Sequence, residues 1–165
     1  MELKYSVGFW ELDWLWGVPL VATSVAVHAV AVILMILLVA GAAEQRLNET
    51  RSRAGFALIF IGFVTALGFG LALLHAFHAL VWAAAYLLLG AVEDFPHAIA
   101  YSFGMITTVG TDAGAVNPEW RLLGNIEAMA GMLLFGFSTA VLFAVLQRFW
   151  LLLRQRLDEQ RAGPG

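Results

Sequence analysis

Six consecutive residues hold most of the chemistry available to this chain: Thr107, Thr108, Val109, Gly110, Thr111 and Asp112. Backbone carbonyls in such a stretch can replace the water shell of a cation once they point to one side. Gly110 permits the positive φ that this requires. The Thr108 hydroxyl adds a further oxygen to that set. Asp112 has two readings. Its carboxylate concentrates cations and binds a divalent ion, or it caps loop amides away from any ion path.

Other polar groups lie within apolar runs. Glu127 is ionisable inside such a run, where a charge costs ~2.5–3.5 kcal/mol on insertion scales, so it needs a partner or a function. A hydrogen bond behind the loop is the favoured role, with pH coupling as the alternative. His75 and His78 stand three apart, and His28 lies in an earlier run. With no carboxylate near them in sequence, they are expected as neutral, hydrogen-bonded imidazoles facing other helices, not as metal ligands. Nothing has the spacing of a nucleophile–base pair, and there is no cysteine. An enzyme is therefore not expected, nor a cofactor, nor a nucleic-acid partner.

The elements that must position these residues are membrane spans. The chain has 165 residues, 61% hydrophobic and 13% charged, where soluble domains carry about 25% charged residues. Residues 17–43 and 54–92 contain no charge, and 128–147 form a shorter charge-free run. A spanning helix needs about 20 apolar residues, so three spans are expected. Pro19 is placed in the first turn of span one, where its missing N–H is harmless. The second run exceeds one crossing, and a helix to about residue 89, broken at Gly90, accounts for it. Residues 1–16, with Phe9, Trp10, Trp14 and Trp16, read as an interfacial segment.

Arg46, Arg51 and Arg53 fall between the first two spans, and Arg148, Arg154, Arg156 and Arg161 follow the third. The positive-inside bias puts both segments in the cytoplasm and the N-terminus outside, in a plasma (bacterial inner) membrane. Between spans two and three, Pro96 is expected to open a short helix capped by Asp94 or Phe95. Its apolar face is predicted from Ile99, Phe103 and Ile106. Non-helical backbone after it is tolerated at membrane depth only if buried in protein or lining water.

Thr107-Thr108-Val109-Gly110, set in a hairpin between two spans, resembles the pore loop of the tetrameric potassium-channel superfamily. Ala100-Tyr101-Ser102 resembles the pore-helix segment of that family. Gly131, Phe135, Gly136, Thr139 and Ala140 are similar to its inner-helix pattern. Pro118-Glu119-Trp120-Arg121 is similar to the segment after the filter in small bacterial ion-channel proteins. The resemblance covers roughly 55–150. It implies an all-α membrane protein with three transmembrane helices, a re-entrant pore helix and a filter loop, assembled as a homotetramer in the lipid bilayer. The implied divisions are 1–16 (interfacial), 17–43 (peripheral span), 54–150 (pore domain) and 151–165 (cytoplasmic tail).

The resemblance also implies roles, the first of them K+ or Na+ held as permeant ion at Thr108, Val109 and Gly110. Tyr101 and Glu127 would support the filter, and Gly131, Phe135, Thr139, Phe143 and Gln147 would line or gate the pore. Gly131 is equally a hinge or a close helix contact, and Phe143 equally a dewetting constriction or a packing residue. The family's filter reads T-V-G-Y-G-D, whereas this chain has Thr111 and Asp112 where tyrosine and the second glycine stand. Loss of the outer sites implies a weakly selective or non-selective monovalent cation channel. A potassium-selective channel is the alternative, and a non-conducting scaffold or accessory subunit is the alternative of another class.

Overall fold

The computed structural model describes residues 8–50, 52–112 and 114–162. Residues 1–7 of the expected interfacial segment, Arg51 of the basic linker, Ala113 beside the filter stretch and the Gly-Pro-Gly end lie outside the described residues. The described chain folds as α1 (Gly8–Glu49), α2 (Arg53–Leu88), α3 (Phe95–Ile106), a 3-10 turn (Pro118–Trp120) and α4 (Arg121–Ala162). Within these, Glu11–Leu38, Ala54–Leu88 and Pro118–Gln155 are each long and apolar enough to cross a membrane. Among the described residues the regular structure is all helical, with three helices of membrane length.

α1 differs from expectation at its start. It runs unbroken from Gly8, so residues 8–16 of the expected interfacial segment and the expected first span lie in one helix. Gly17 does not end a helix. It is buried, and a Cβ there would lie 2.8 Å from Ile126 Cδ1, so its smallness serves packing against α4. Pro19 is inside the helix, not in its first turn, so it removes one i→i−4 hydrogen bond. Trp14 and Trp16 are exposed, as interfacial indoles should be.

The end of α2 matches its sequence signal. Gly90 has φ +66, its N–H donates to Leu87 O at 3.1 Å, and the Ala91 N–H donates to Tyr86 O at 2.8 Å. This paired arrangement is the Schellman motif, which needs a left-handed residue that glycine accepts without a steric cost. Asn117 then ties the later loop to this corner, its Nδ2 donating to Gly90 O at 2.7 Å.

α3 is capped by Asp94, whose Oδ1 accepts from the His97 N–H at 3.0 Å. Its buried residues are Ala98, Tyr101, Ser102 and Ile106. The predicted face of Ile99, Phe103 and Ile106 is therefore rotated: Ile106 is inside, Ile99 is half-buried and Phe103 is exposed. Ser102 takes the inward position because buried acceptors await its hydroxyl, which periodicity of apolar residues alone does not register.

The chain divides into two compact units, Met1–Val32 with Ala72–Phe135, and Ile33–Leu71 with Gly136–Gly165. The core of the first is built on Trp82, Tyr86, Tyr101, Leu123 and Ile126. Asp13 is buried in this unit and accepts from the Leu123 N–H at 3.1 Å. It thereby satisfies one of the orphan donors at the start of α4, and its carboxylate faces the positive end of that helix. In the second unit, the Phe149 ring stacks on Phe56 at 4.9 Å and on Phe60 at 3.4 Å between centroids.

Candidate functional site

The filter-like stretch begins where α3 stops. Thr107 is the C-cap of α3, with helical φ −86. Two left-handed residues then flank Val109: Thr108 at φ +60 and Gly110 at φ +81. Glycine accepts this freely, while a β-branched threonine is a genuine outlier there, a conformation that surrounding structure must hold. The holding contacts are local. The Thr108 N–H donates to Met105 O at 2.9 Å, and the Gly110 N–H donates to Gly104 O at 2.9 Å. The loop therefore doubles back along the last turn of α3 and leaves the Val109 side chain exposed.

Gly104 makes that return possible. A Cβ at this position would lie 2.2 Å from Thr111 Cγ2 and 2.9 Å from Gly110 O. Sequence reasoning passed over Gly104, because a glycine inside a helix announces no partner. Thr111 stands on this glycine with its Oγ1 buried and without a hydrogen bond among the described residues. Asp112 is exposed, and its Oδ1 accepts from the Gly114 N–H at 3.0 Å. The loop-capping geometry is thus present in the single chain.

Behind the loop, Glu127 joins three helices. It is fully buried and accepts from the Tyr86 hydroxyl at 2.6 Å. The Ser102 hydroxyl makes a short contact with its other oxygen. Ser102 Oγ also lies 2.8 Å from Ala79 O. One hydroxyl proton thus faces two acceptors, the Ala79 carbonyl and the Glu127 carboxyl. Glu127 meets α2 and the middle of α3, so it braces the helix that presents the loop. Tyr101 is buried beside this group, edge-on to Tyr86 with centroids 5.1 Å apart. Its hydroxyl occupies the space a Cβ on Gly124 would need, 2.2 Å away.

The remaining site residues lie along α4. Gly131 is buried against the end of α3. A Cβ on Gly131 would meet the Ile106 backbone. The Phe135 ring stacks on His75, with centroids 4.1 Å apart. Thr139, Phe143 and Gln147 are exposed and recur every four residues, so they occupy neighbouring positions along one side of α4. Phe143 has 59% of its surface exposed in the single chain.

The three histidines come together across α1 and α2. The His28 ring lies 5.2 Å from His75 and 5.4 Å from His78, between centroids. All three are buried. The Trp82 indole N–H donates to Ser24 Oγ at 3.2 Å one helical turn away. Among the described residues, no group of His, Cys, Asp or Glu has the geometry to hold a metal ion.

Among curated proteins and solved structures, none matches this chain. Residues 73–148, from α2 through α3 and the filter-like loop into α4, match the family model described as "Ion channel". Ion channels are not an enzyme class, and the match supports placing this segment in the potassium-channel superfamily.

Proposed function

We propose that four copies of this chain surround a pore and pass monovalent cations down their gradient. In this reading 54–150 is the pore domain, with α3 and the following loop re-entrant, and α1 is a peripheral helix. The supporting observation is the return of 107–112 along α3, with Thr108 and Gly110 left-handed on either side of an exposed Val109. Thr108, Val109 and Gly110 hold K+ or Na+, and the C-terminal end of α3 directs its negative pole toward the ion. Gly131 and Glu127 fix the filter from behind. Thr139, Phe143 and Gln147 line the cytoplasmic half, and the N-terminus lies outside the plasma membrane.

Weak selectivity follows from the outer filter. Thr111 has no ring to brace the loop, and Asp112 replaces a glycine. Four Asp112 carboxylates near one axis attract cations and bind divalent ions. A potassium-selective pore is favoured by one separate observation, the Gly110–Gly104 hydrogen bond, which holds the loop without the missing tyrosine.

Purified protein in liposomes tests both readings. Cation flux with a reversal potential near zero in opposed K+ and Na+ solutions is expected. A reversal potential close to that of K+ would establish the selective pore. Tetramers without flux would identify a scaffold, and loss of a fourfold assembly would end the pore reading.

A further inference from the structure

The second compact unit contains a groove of about 510 Å³ that the pore reading does not use. Ala42 and Arg46 of α1 line one side, and Ile59, Gly62, Phe63 and Ala66 of α2 line the other. The α2 positions recur at three and four residues, so they form one face. Small side chains make the space: a Cβ on Gly62 would meet nothing within 4 Å. Among the described residues, the lining carries a single charge, that of Arg46, which is exposed.

An apolar trough with one cation beside it is complementary to an amphiphile with an anionic head. A free phosphate would leave the trough empty, and a zwitterionic lipid would bring a second cation beside the guanidinium along with its phosphate. Arg51 and Arg53 follow Arg46 in sequence, with Glu44 and Glu49 among them, which leaves a net charge of +1 over 44–53. Basic pockets between transmembrane helices on the cytoplasmic side suit acidic lipid headgroups.

We propose that this groove binds one acidic phospholipid, an acyl chain lying along Ile59, Gly62, Phe63 and Ala66 and its phosphate on Arg46. The site requires membrane insertion and does not depend on whether the protein conducts. Arginine suits the phosphate because its planar fork donates two parallel N–H bonds.

The test is lipid retention by the intact, detergent-purified protein, read by native mass spectrometry with phosphatidylglycerol and phosphatidylcholine of identical chains. Wild type is expected to retain phosphatidylglycerol about fivefold better, the weight of one basic side chain at an anionic surface. Arg46→Gln should bring the ratio near one, and Arg46→Lys should preserve the preference. Gly62→Leu fills open space and should reduce retention of both lipids without unfolding α2. An unchanged ratio in Arg46→Gln, or unchanged retention in Gly62→Leu, overturns the proposal. So does displacement of the lipid by soluble glycerol phosphate, which would make the site a bare anion site. Dissociation of the oligomer by Gly62→Leu without lipid loss would assign the groove to a neighbouring copy instead.

Discussion

The carbonyl oxygen of Ile106 stands 2.0 Å from the point where a Cβ on Gly131 would be. Ile106 is the last residue of α3, directly before the filter-like loop. The smallness of Gly131 therefore sets how closely α4 approaches the base of that loop. Gly131→Ala must push backbone away from backbone, because no flexible side chain is there to yield. A destabilisation of ~1–3 kcal/mol is expected from such overpacking. Gly136→Ala is the control, since nothing lies within 4 Å of its added Cβ. Thermal unfolding in detergent compares the two. A hinge role for Gly131 gives the opposite result, altered gating at unchanged stability.

Glu127 sits among groups that need both an acceptor and a donor. Tyr86 donates to one of its oxygens, while Ser102 is shared with the Ala79 carbonyl. Glutamine supplies a carbonyl for Tyr86 and an N–H for Ser102, so Glu127→Gln should retain the fold. Glu127→Ala strands the Tyr86 hydroxyl in the core, at ~1–3 kcal/mol for an unsatisfied group, while Ser102 keeps the Ala79 carbonyl. Unfolding midpoints for the two variants, with Tyr86→Phe alongside, provide the comparison. Equal losses for Gln and Ala would mean that the negative charge itself is required.

Local features of this fold were legible in the sequence, and contacts between distant residues were not. Charge-free runs fixed three spans, because bilayer thickness acts on composition. Gly90 and Asp94 marked a helix end and a helix start, because both motifs close within a few residues. Gly110 disclosed its positive φ, whereas Thr108 did not, since a β-branched residue gives no sign of a left-handed turn. Asp13 caps α4 from 110 residues away. The contact of Gly104 with Thr111, the three helices joined through Glu127 and the meeting of His28 with His75 likewise depend on tertiary packing. The face of α3 was rotated for a related reason. Ile99 and Phe103 obey helical periodicity, but hydrogen bonding of Ser102 decided which side turned inward.

Asp94 makes a pH-dependent contribution with a definite sign. The backbone N–H of His97, and then its imidazole, hold the Asp94 carboxyl below its ordinary value of 3.8. A carboxyl depressed in the folded state stabilises above its unfolded pKa and loses that contribution as pH falls through the folded one. The α3 cap is therefore complete above about pH 4 and weakens below it. Asparagine caps a helix without titrating. The gap in unfolding midpoint between wild type and Asp94→Asn should shrink on acidification from about pH 6 to about pH 3. A constant gap would remove the carboxylate from the account.

Asp112 allows charge to be separated from loop geometry. Its Oδ1 accepts from the Gly114 amide at 3.0 Å, and the amide oxygen of asparagine can accept the same bond. Asp112→Asn thus removes a negative charge per chain while preserving the turn, whereas Asp112→Ala removes both. In the proposed tetrameric pore, four carboxylates near one axis would raise the local cation concentration, an effect that salt screens. Asp112→Asn should lower single-channel conductance and weaken divalent block, with the larger fall in conductance at low salt. Asp112→Ala should further change the loop itself, visible as altered ion preference. If Asn leaves conductance and block untouched while Ala impairs both, the carboxylate serves the Gly114 amide and the ions pass elsewhere.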